Sequence, residues 1–545
     1  MATTGPTGDL HFSRRRWALP AAGALVLVVA LTACTGQGSA GTSSSAPSGP
    51  PRGTGTGSYS YADYDPGSLI PGNSYAYEIN ALFAPLTVIQ ADGSLTNLQA
   101  EKVSSTDNKT WTIALKPGWT FQDGTPVTSA SFVDAWNATA DATNAWLLNG
   151  QFVNIAGYDA LNPPSGKPTA TKLIGLKIVD DTTFTVTLKQ PDSQFPIALS
   201  SSAFSPLPAS AFKDFKAFDK HPIGNGPYQL DGTWETGQKS LTLNRFAAYK
   251  GTPGYAATVK IKVYDDLATA YTDVRGGSVD ITSVSADRLG VVKSDFPTGT
   301  VPVATPAIDF LGAPAWDARF SNPDLRRAFS LAIDRVAINK ALSGSFNTPA
   351  AAYVSPAVKG APQDLCDYCK LDIEKAKSLL AQAGGWSGPL NLWYVSGSGS
   401  DQLFQAIGNQ LRQNLGIDVQ YKTQSYAQFQ DSLTARKVDG LYSGHWGSFF
   451  PTMSEPLEAL FTPEGAGFSS TQYSNPAATA LIQQGNAATS QDAAVAAYTQ
   501  AQTTILAAAP IIPLFFDTFV YAHGPHVTSI EANPAFFDFG AVQVK

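Results

Sequence analysis

The sequence predicts an α/β protein built from several lobes, and three observations carry that prediction. At 545 residues the chain exceeds what one hydrophobic core organises, and about 150 residues per domain gives three or so. Apolar residues recurring at every second position mark strands from residue 59 onward. Residues 390–447 read as β-α-β-α-β, the unit from which parallel sheets are made.

Taken in order, the chain opens on SRRR followed by WALPAAGALVLVVALTAC. Basic residues, a short apolar stretch and small residues before a cut site make residues 1–33 an export signal. Leu31, Thr32, Ala33 and Cys34 resemble a bacterial lipobox, which makes Cys34 the lipidated first residue of the mature chain. The alternative is a short membrane anchor, although about 20 apolar residues are needed to span. RRRW is a poor match to a twin-arginine signal, so ordinary secretion is the expected route. Residues 34–58, rich in Gly, Ser, Thr and Pro, have too little apolar surface to fold and form a flexible tether with a reach of about 25 to 30 Å.

Strands follow in WTIAL (Trp111, Ile113, Leu115), FTVTL (Phe184, Val186, Leu188) and VKIKV (Val259, Ile261, Val263). In NPDLRRAFSLAIDRVAINKALSG, Asn322 is placed to N-cap a helix, Pro323 suits its first turn, and Leu325, Phe329, Ile333 and Val336 share a face that Gly344 ends. LNLWYV is then a strand, and DQLFQAIGNQLRQNLG a helix capped by Asp401 and closed by Gly416. IDVQYKT is a second strand, SYAQFQDSLTARK a second helix, and DGLYSGHWG a third strand. Right-handed crossovers make the three strands parallel. The loops 396–400, 424–426 and 445–450 then emerge at the carboxyl edge, where open α/β sheets bind ligands. This gives the uncharged aromatic stretch GHWGSFFPT (444–452) an address beside a crevice, with Phe450 the better candidate for core.

Several segments together resemble the extracytoplasmic solute-binding proteins of ATP-driven importers, in the family 5 class that carries oligopeptides, dipeptides, nickel chelates and some oligosaccharides. The matching stretches are DNKTWTIALKPGWTFQDGTPVTSASFVDAW (107–136), PIGNGPYQL (222–230), DVRGGSVDI (273–281), NPDLRRAFSLAIDR (322–335), KAKSLLAQAG (375–384) and APIIPLF (509–515). The resemblance implies the type II periplasmic-binding-protein fold. Its three lobes would be interleaved in the chain: lobe I from 59–88, 222–312 and 511–545, lobe II from 89–221, and lobe III from 313–510. A solute would be captured between lobes, chemically untouched, and handed to a membrane permease. Oligopeptides are the expected solute. An oligosaccharide, a nickel chelate or a sensor role is the alternative within this class.

The resemblance also nominates site residues. Relatives read W-x-x-D-Y where this chain has Trp446, Gly447, Ser448, Phe449 and Phe450, and the Asp pairs with a peptide's α-ammonium. Phe449 stands in its place, so a charge-assisted bond of about 1.5 to 3 kcal/mol is missing. Tyr426, His445, Trp446, Phe449, Trp146, Asn149 and Phe516 are the expected ligand contacts, with Phe515 beside the last. Core packing competes for Trp146, Phe515 and Phe516. Stacked rings suit sugars and apolar or aromatic side chains, so selection by shape is expected.

The remaining chemistry is sparse. A formal charge of −7, or −9 for 33 basic against 42 acidic groups after residue 33, disfavours nucleic acid. Three cysteines exclude a Cys-rich zinc centre. Cys366 and Cys369 form CDYC, expected as a local disulfide outside the cytoplasm, with a redox role as the sharper alternative. No metal or cofactor is expected: His445 alone is a weak nickel signal, and His523 and His526 read as a solvated turn. No G-x-S-x-G, HExxH or phosphate-loop motif is present. Ser210 and Lys213 form S-x-x-K, with Tyr473-Ser474-Asn475 as a possible companion. This leaves a secreted serine hydrolase as the reading from another class. The expectation is a monomeric, non-enzymatic receptor, lipid-anchored at the outer face of the cell membrane.

Overall fold

The computed structural model describes residues 51–545 apart from 398–399, 464–472 and 532. Cys34 and the export signal lie outside the described residues, as does most of the tether. Its last part departs from expectation: the Gly53 N–H donates to the Gly254 carbonyl at 3.0 Å, Arg52 pairs with Glu531 at 2.9 Å, and a strand already begins at Ser58. Gly and Ser alone do not fix a segment's fate when the folded body offers it hydrogen-bond partners.

The framework is an eleven-stranded sheet. Its path runs Val419–Gln424, Leu390–Val395, Leu441–Gly447, Thr300–Gly312, Ile511–His523, Ile281–Ser283, Ser58–Asp63, Thr258–Val263, Ser240–Arg245 and Tyr228–Leu230, with Thr348–Pro349 added beside Ile511–His523. The expected parallel trio is present, Leu390–Val395 lying between the other two and parallel to both. Gly416 closes the Asp401–Leu415 helix at φ 71°, while Asp401 is its first residue and not its cap. A separate antiparallel sheet joins Ala100–Ser104, Thr110–Leu115, Thr183–Thr187 and Leu176–Asp180. Its inward side chains Trp111, Ile113, Phe184 and Val186 are buried as the alternation requires.

Two large apolar cores meet along the two longest strands. One gathers residues between Tyr59 and Val303 together with Tyr521 to Val542, and the other runs from Ile308 to Phe516. The change of allegiance falls between Val303 and Ile308 on one strand and between Phe516 and Tyr521 on its partner. There the register breaks: Ala304 faces Thr518 and Ile308 faces Phe516, so three residues oppose Asp517 alone. Such a bulge bends and twists a strand pair. Thr305 Oγ1 donates to the Asp517 carbonyl at 3.1 Å and Ser355 Oγ to the Thr305 carbonyl at 2.6 Å. Away from these strands the cores touch at a polar seam, where buried Gln194 Oε1 accepts the Met453 and Ser454 N–H groups, each at 3.0 Å.

The segment expected as one helix from Asn322 is two, Pro323–Leu331 and Arg335–Leu342, and Val336 is exposed. Asn322 caps the first as expected. The break has a polar cause. The Asp334 N–H goes to Gln410 Oε1 at 2.6 Å, and the Asp334 carboxylate caps the next helix at Ala337. The buried Arg335 guanidinium takes the carbonyls of Ser330 (3.0 Å), Ile333 (3.3 Å) and Pro513 (2.8 Å) and the Ser330 hydroxyl (2.8 Å). Cys366 and Cys369 are disulfide-bonded and buried. His523 is buried at the end of its strand, a correction to the solvated turn, because its N–H is held by the Gly299 carbonyl at 2.8 Å. His526 is half-buried and its Nε2 meets the Ser58 carbonyl at 2.9 Å; the Lys545 N–H bonds the His526 carbonyl at 3.1 Å. Among the described residues no helix is long and apolar enough to cross a membrane.

Candidate functional site

A cavity of about 110 Å3 opens where segments attached to the two cores face each other. Residues 74–77 with Asn80, Leu148 with Gln151, residues 200–202, Phe449 with Phe450, and Ala535 with Phe536 line it. Each of these is neutral. Phe449 and Tyr75, both exposed, stack face to face across it with centroids 6.2 Å apart and planes 10° from parallel. Phe450 is half-buried against the first core, the core side of the pair as expected. On the far wall the Ser201 hydroxyl donates to Gln151 Oε1 at 2.7 Å.

The aromatic loop is held by one carboxylate. Glu455, in the first turn of the Ser454–Phe461 helix, accepts the N–H of Phe449 at 2.9 Å and of Phe450 at 3.4 Å. Burial pushes its carboxyl up to about 8, against the pull of those two donors. Beneath Tyr77, Glu78 is fully buried, and neither of its carboxyl oxygens meets a hydrogen-bond donor among the described residues. Burial, then the charge of Asp63, pushes it up to about 8. Asp63 is itself pushed up to about 6 by burial.

The other expected contacts are scattered. Trp446 is half-buried against the second core, on the strand that leads to Phe449. That strand continues to Gly447, so His445 and Trp446 belong to it and not to the following loop. Gly444 lies where a Cβ would run into the Phe310 ring, so only glycine lets the strand approach its neighbour there. Tyr426 is 68% exposed at the start of the Tyr426–Thr434 helix and does not line the cavity. Trp146 is buried edge-on to Phe215, centroids 4.9 Å apart, behind the wall that Leu148 forms. Asn149 Oδ1 accepts from the Tyr158 hydroxyl (2.9 Å) and Asn162 Nδ2 (3.0 Å), bracing that wall from within. Phe515 and Phe516 are buried in the second core. Ser210 and Lys213 are both exposed around a three-residue turn, which provides no dry site for a lysine to activate a serine.

His445 has partners of its own. Its Nδ1 lies 2.9 Å from Asp309 Oδ1 and 3.5 Å from Asp517 Oδ2. Burial pulls the imidazole down, but the hydrogen bond and charge of Asp309, with the charge of Asp517, leave it above its ordinary value. Burial and the charge of Asp309 push Asp517 up to about 7. Tyr75, Gln151 and Phe536 carried no local signal in the sequence. Asp309 and Asp517 did, as lone acids inside the apolar runs PAIDFLGA and PLFFDTFV.

Residues 95–468 match the family model described as bacterial extracellular solute-binding proteins, family 5 Middle. The chain belongs to this family. Among its relatives is the "Probable deoxycholate-binding periplasmic protein YgiS" of Escherichia coli, 26% identical over 85% of this chain and 88% of that protein. The dipeptide-binding protein DppE of Bacillus subtilis is 28% identical over 84% and 85%. The murein tripeptide binding protein MppA of Escherichia coli, in its unliganded open form, superposes with a TM-score of 0.78 at 21% identity over 91% of this chain and 99% of MppA. This family 5 protein therefore has the type II periplasmic-binding-protein fold, and its structural neighbours are binding proteins and not enzymes.

Proposed function

We propose that the protein is a lipid-anchored receptor that captures short peptides in the cavity between its two cores and delivers them to the permease of an ATP-driven importer. On this reading the lobes are 59–88 with 222–312 and 511–545, then 89–221, then 313–510. The paired long strands are the hinge, Cys34 carries the lipid, and residues 35–50 form the leash. The stacked pair of Tyr75 and Phe449 across the cavity carries the reading: it brings an aromatic ring from each side onto one cavity. Because every lining residue is neutral, shape and stacking select the solute, and a free peptide amine finds no carboxylate there. This same neutrality favours, as a second reading, an uncharged non-peptide solute.

Native mass spectrometry of the purified protein names a retained solute. Phe449→Ala should then weaken its binding by about tenfold, the worth of one stacked ring, with Tyr75→Ala acting in the same direction. Unchanged calorimetric titrations in both variants would remove the site from this cavity.

A further inference from the structure

The two long strands and their neighbour Leu441–Gly447 bring three metal-competent side chains together: Asp309, His445 and Asp517. In the sheet His445 sits directly opposite Asp309. The bulge that sets three residues against Asp517 lies immediately beside them. One donor atom from each residue lies within 4.8 Å of the other two. The Nδ1 distances to the two carboxylates are 2.9 and 3.5 Å. Neighbouring ligands around a cation with bonds of about 2.0 to 2.1 Å are themselves about 2.9 to 3.4 Å apart, so the imidazole nitrogen stands from each carboxylate at close to the spacing of adjacent ligands. Two carboxylates against one imidazole leave an excess of negative charge, which a divalent cation would neutralise. The side chains of His445, Asp309 and Asp517 are 57%, 30% and 23% exposed, so an ion has a way in.

We propose that Asp309, His445 and Asp517, converging from three adjacent strands, bind one first-row divalent cation of the Zn2+ or Mn2+ class. The donor set decides the class. An imidazole with two carboxylates suits Zn2+, Mn2+ and their neighbours; Ca2+ and Mg2+ prefer all-oxygen sets, and Cu+ prefers sulfur. Three protein ligands leave positions for water. The Thr305 hydroxyl on the Asp517 carbonyl and the Ser355 hydroxyl on the Thr305 carbonyl brace the bulge, as supporting contacts fix a metal site. The ion would bridge the strands at the place where they pass from one core to the other. The proposal is independent of which solute the cavity takes.

The test uses the whole chain, freed of any histidine tag and of metal, titrated calorimetrically with ZnCl2 in the presence of excess MgCl2. One Zn2+ per chain is expected, with affinity at least tenfold weaker in Asp517→Asn and in His445→Gln, and unchanged in His526→Gln. Absence of stoichiometric binding, or equal affinity in wild type and the triad variants, overturns the proposal. Should those variants fail to fold, pulsed electron paramagnetic resonance of the Mn2+-loaded wild type decides. Coupling to a single imidazole nitrogen is expected, and no nitrogen coupling overturns the site.

Discussion

Glu78→Gln should remove a distinct share of the pH dependence of stability between pH 5 and 8. The folded protein holds this carboxyl at about 8, chiefly through burial and then through the charge of Asp63. In the unfolded chain it ionises near 4.5. Between those values the folded state carries a proton that the unfolded state has lost. Stability from this group is therefore complete below the unfolded value and falls as pH rises through the folded one. The slope is about 1.4 kcal/mol per pH unit, or roughly 4 kcal/mol from pH 5 to 8. Asp63, held at about 6, Asp517, at about 7, and Glu455, at about 8, add falls of the same sign within the window, and the variant retains those parts. Urea unfolding of both proteins at each pH unit from 5 to 8 isolates Glu78 in the difference of the two curves. Parallel curves would refute the reasoning, because they would mean that Glu78 exchanges no proton on folding.

Phe449→Asp places an acid at the position where the family resemblance implies one. It should raise preference for a free-amine peptide over its N-acetylated form by about tenfold, one charge-assisted bond, measured by competitive calorimetry. Arg335→Met strands the carbonyls of Ser330, Ile333 and Pro513 in the second core, and should cost about 3 kcal/mol in urea unfolding. The double change Cys366→Ser and Cys369→Ser opens a loop of only a few residues and should cost about 2 kcal/mol, read in the same assay. A loss above twice that would point to packing around the buried sulfurs.

The fold was largely legible because its signals are local. Trp111, Ile113 and Leu115 alternate within one strand, and the parallel trio was readable from helix and strand periods within 58 residues. The Pro323–Leu331 helix was found and its end was missed, since Arg335 draws partners from residue 513, far along the chain. The cavity was legible only at Phe449 and Phe450. Tyr75, Gln151 and Phe536 reach it from separate segments, and no periodicity links them. Trp146 and Phe516 show the complementary limit: a ring that suits a cleft suits a core equally, and only exposure tells the two apart.

The start of the first strand and the last residue of the chain lie side by side, with His526 bonded to both Ser58 and Lys545. A short bridge could therefore link residues 57 and 545, and a circularly permuted protein could be opened at an exposed turn such as Gly237 without redrawing the sheet. It also means that a fluorescent cargo fused behind Lys545 would sit against the start of the first strand, so a reporter of solute capture belongs in a distant turn.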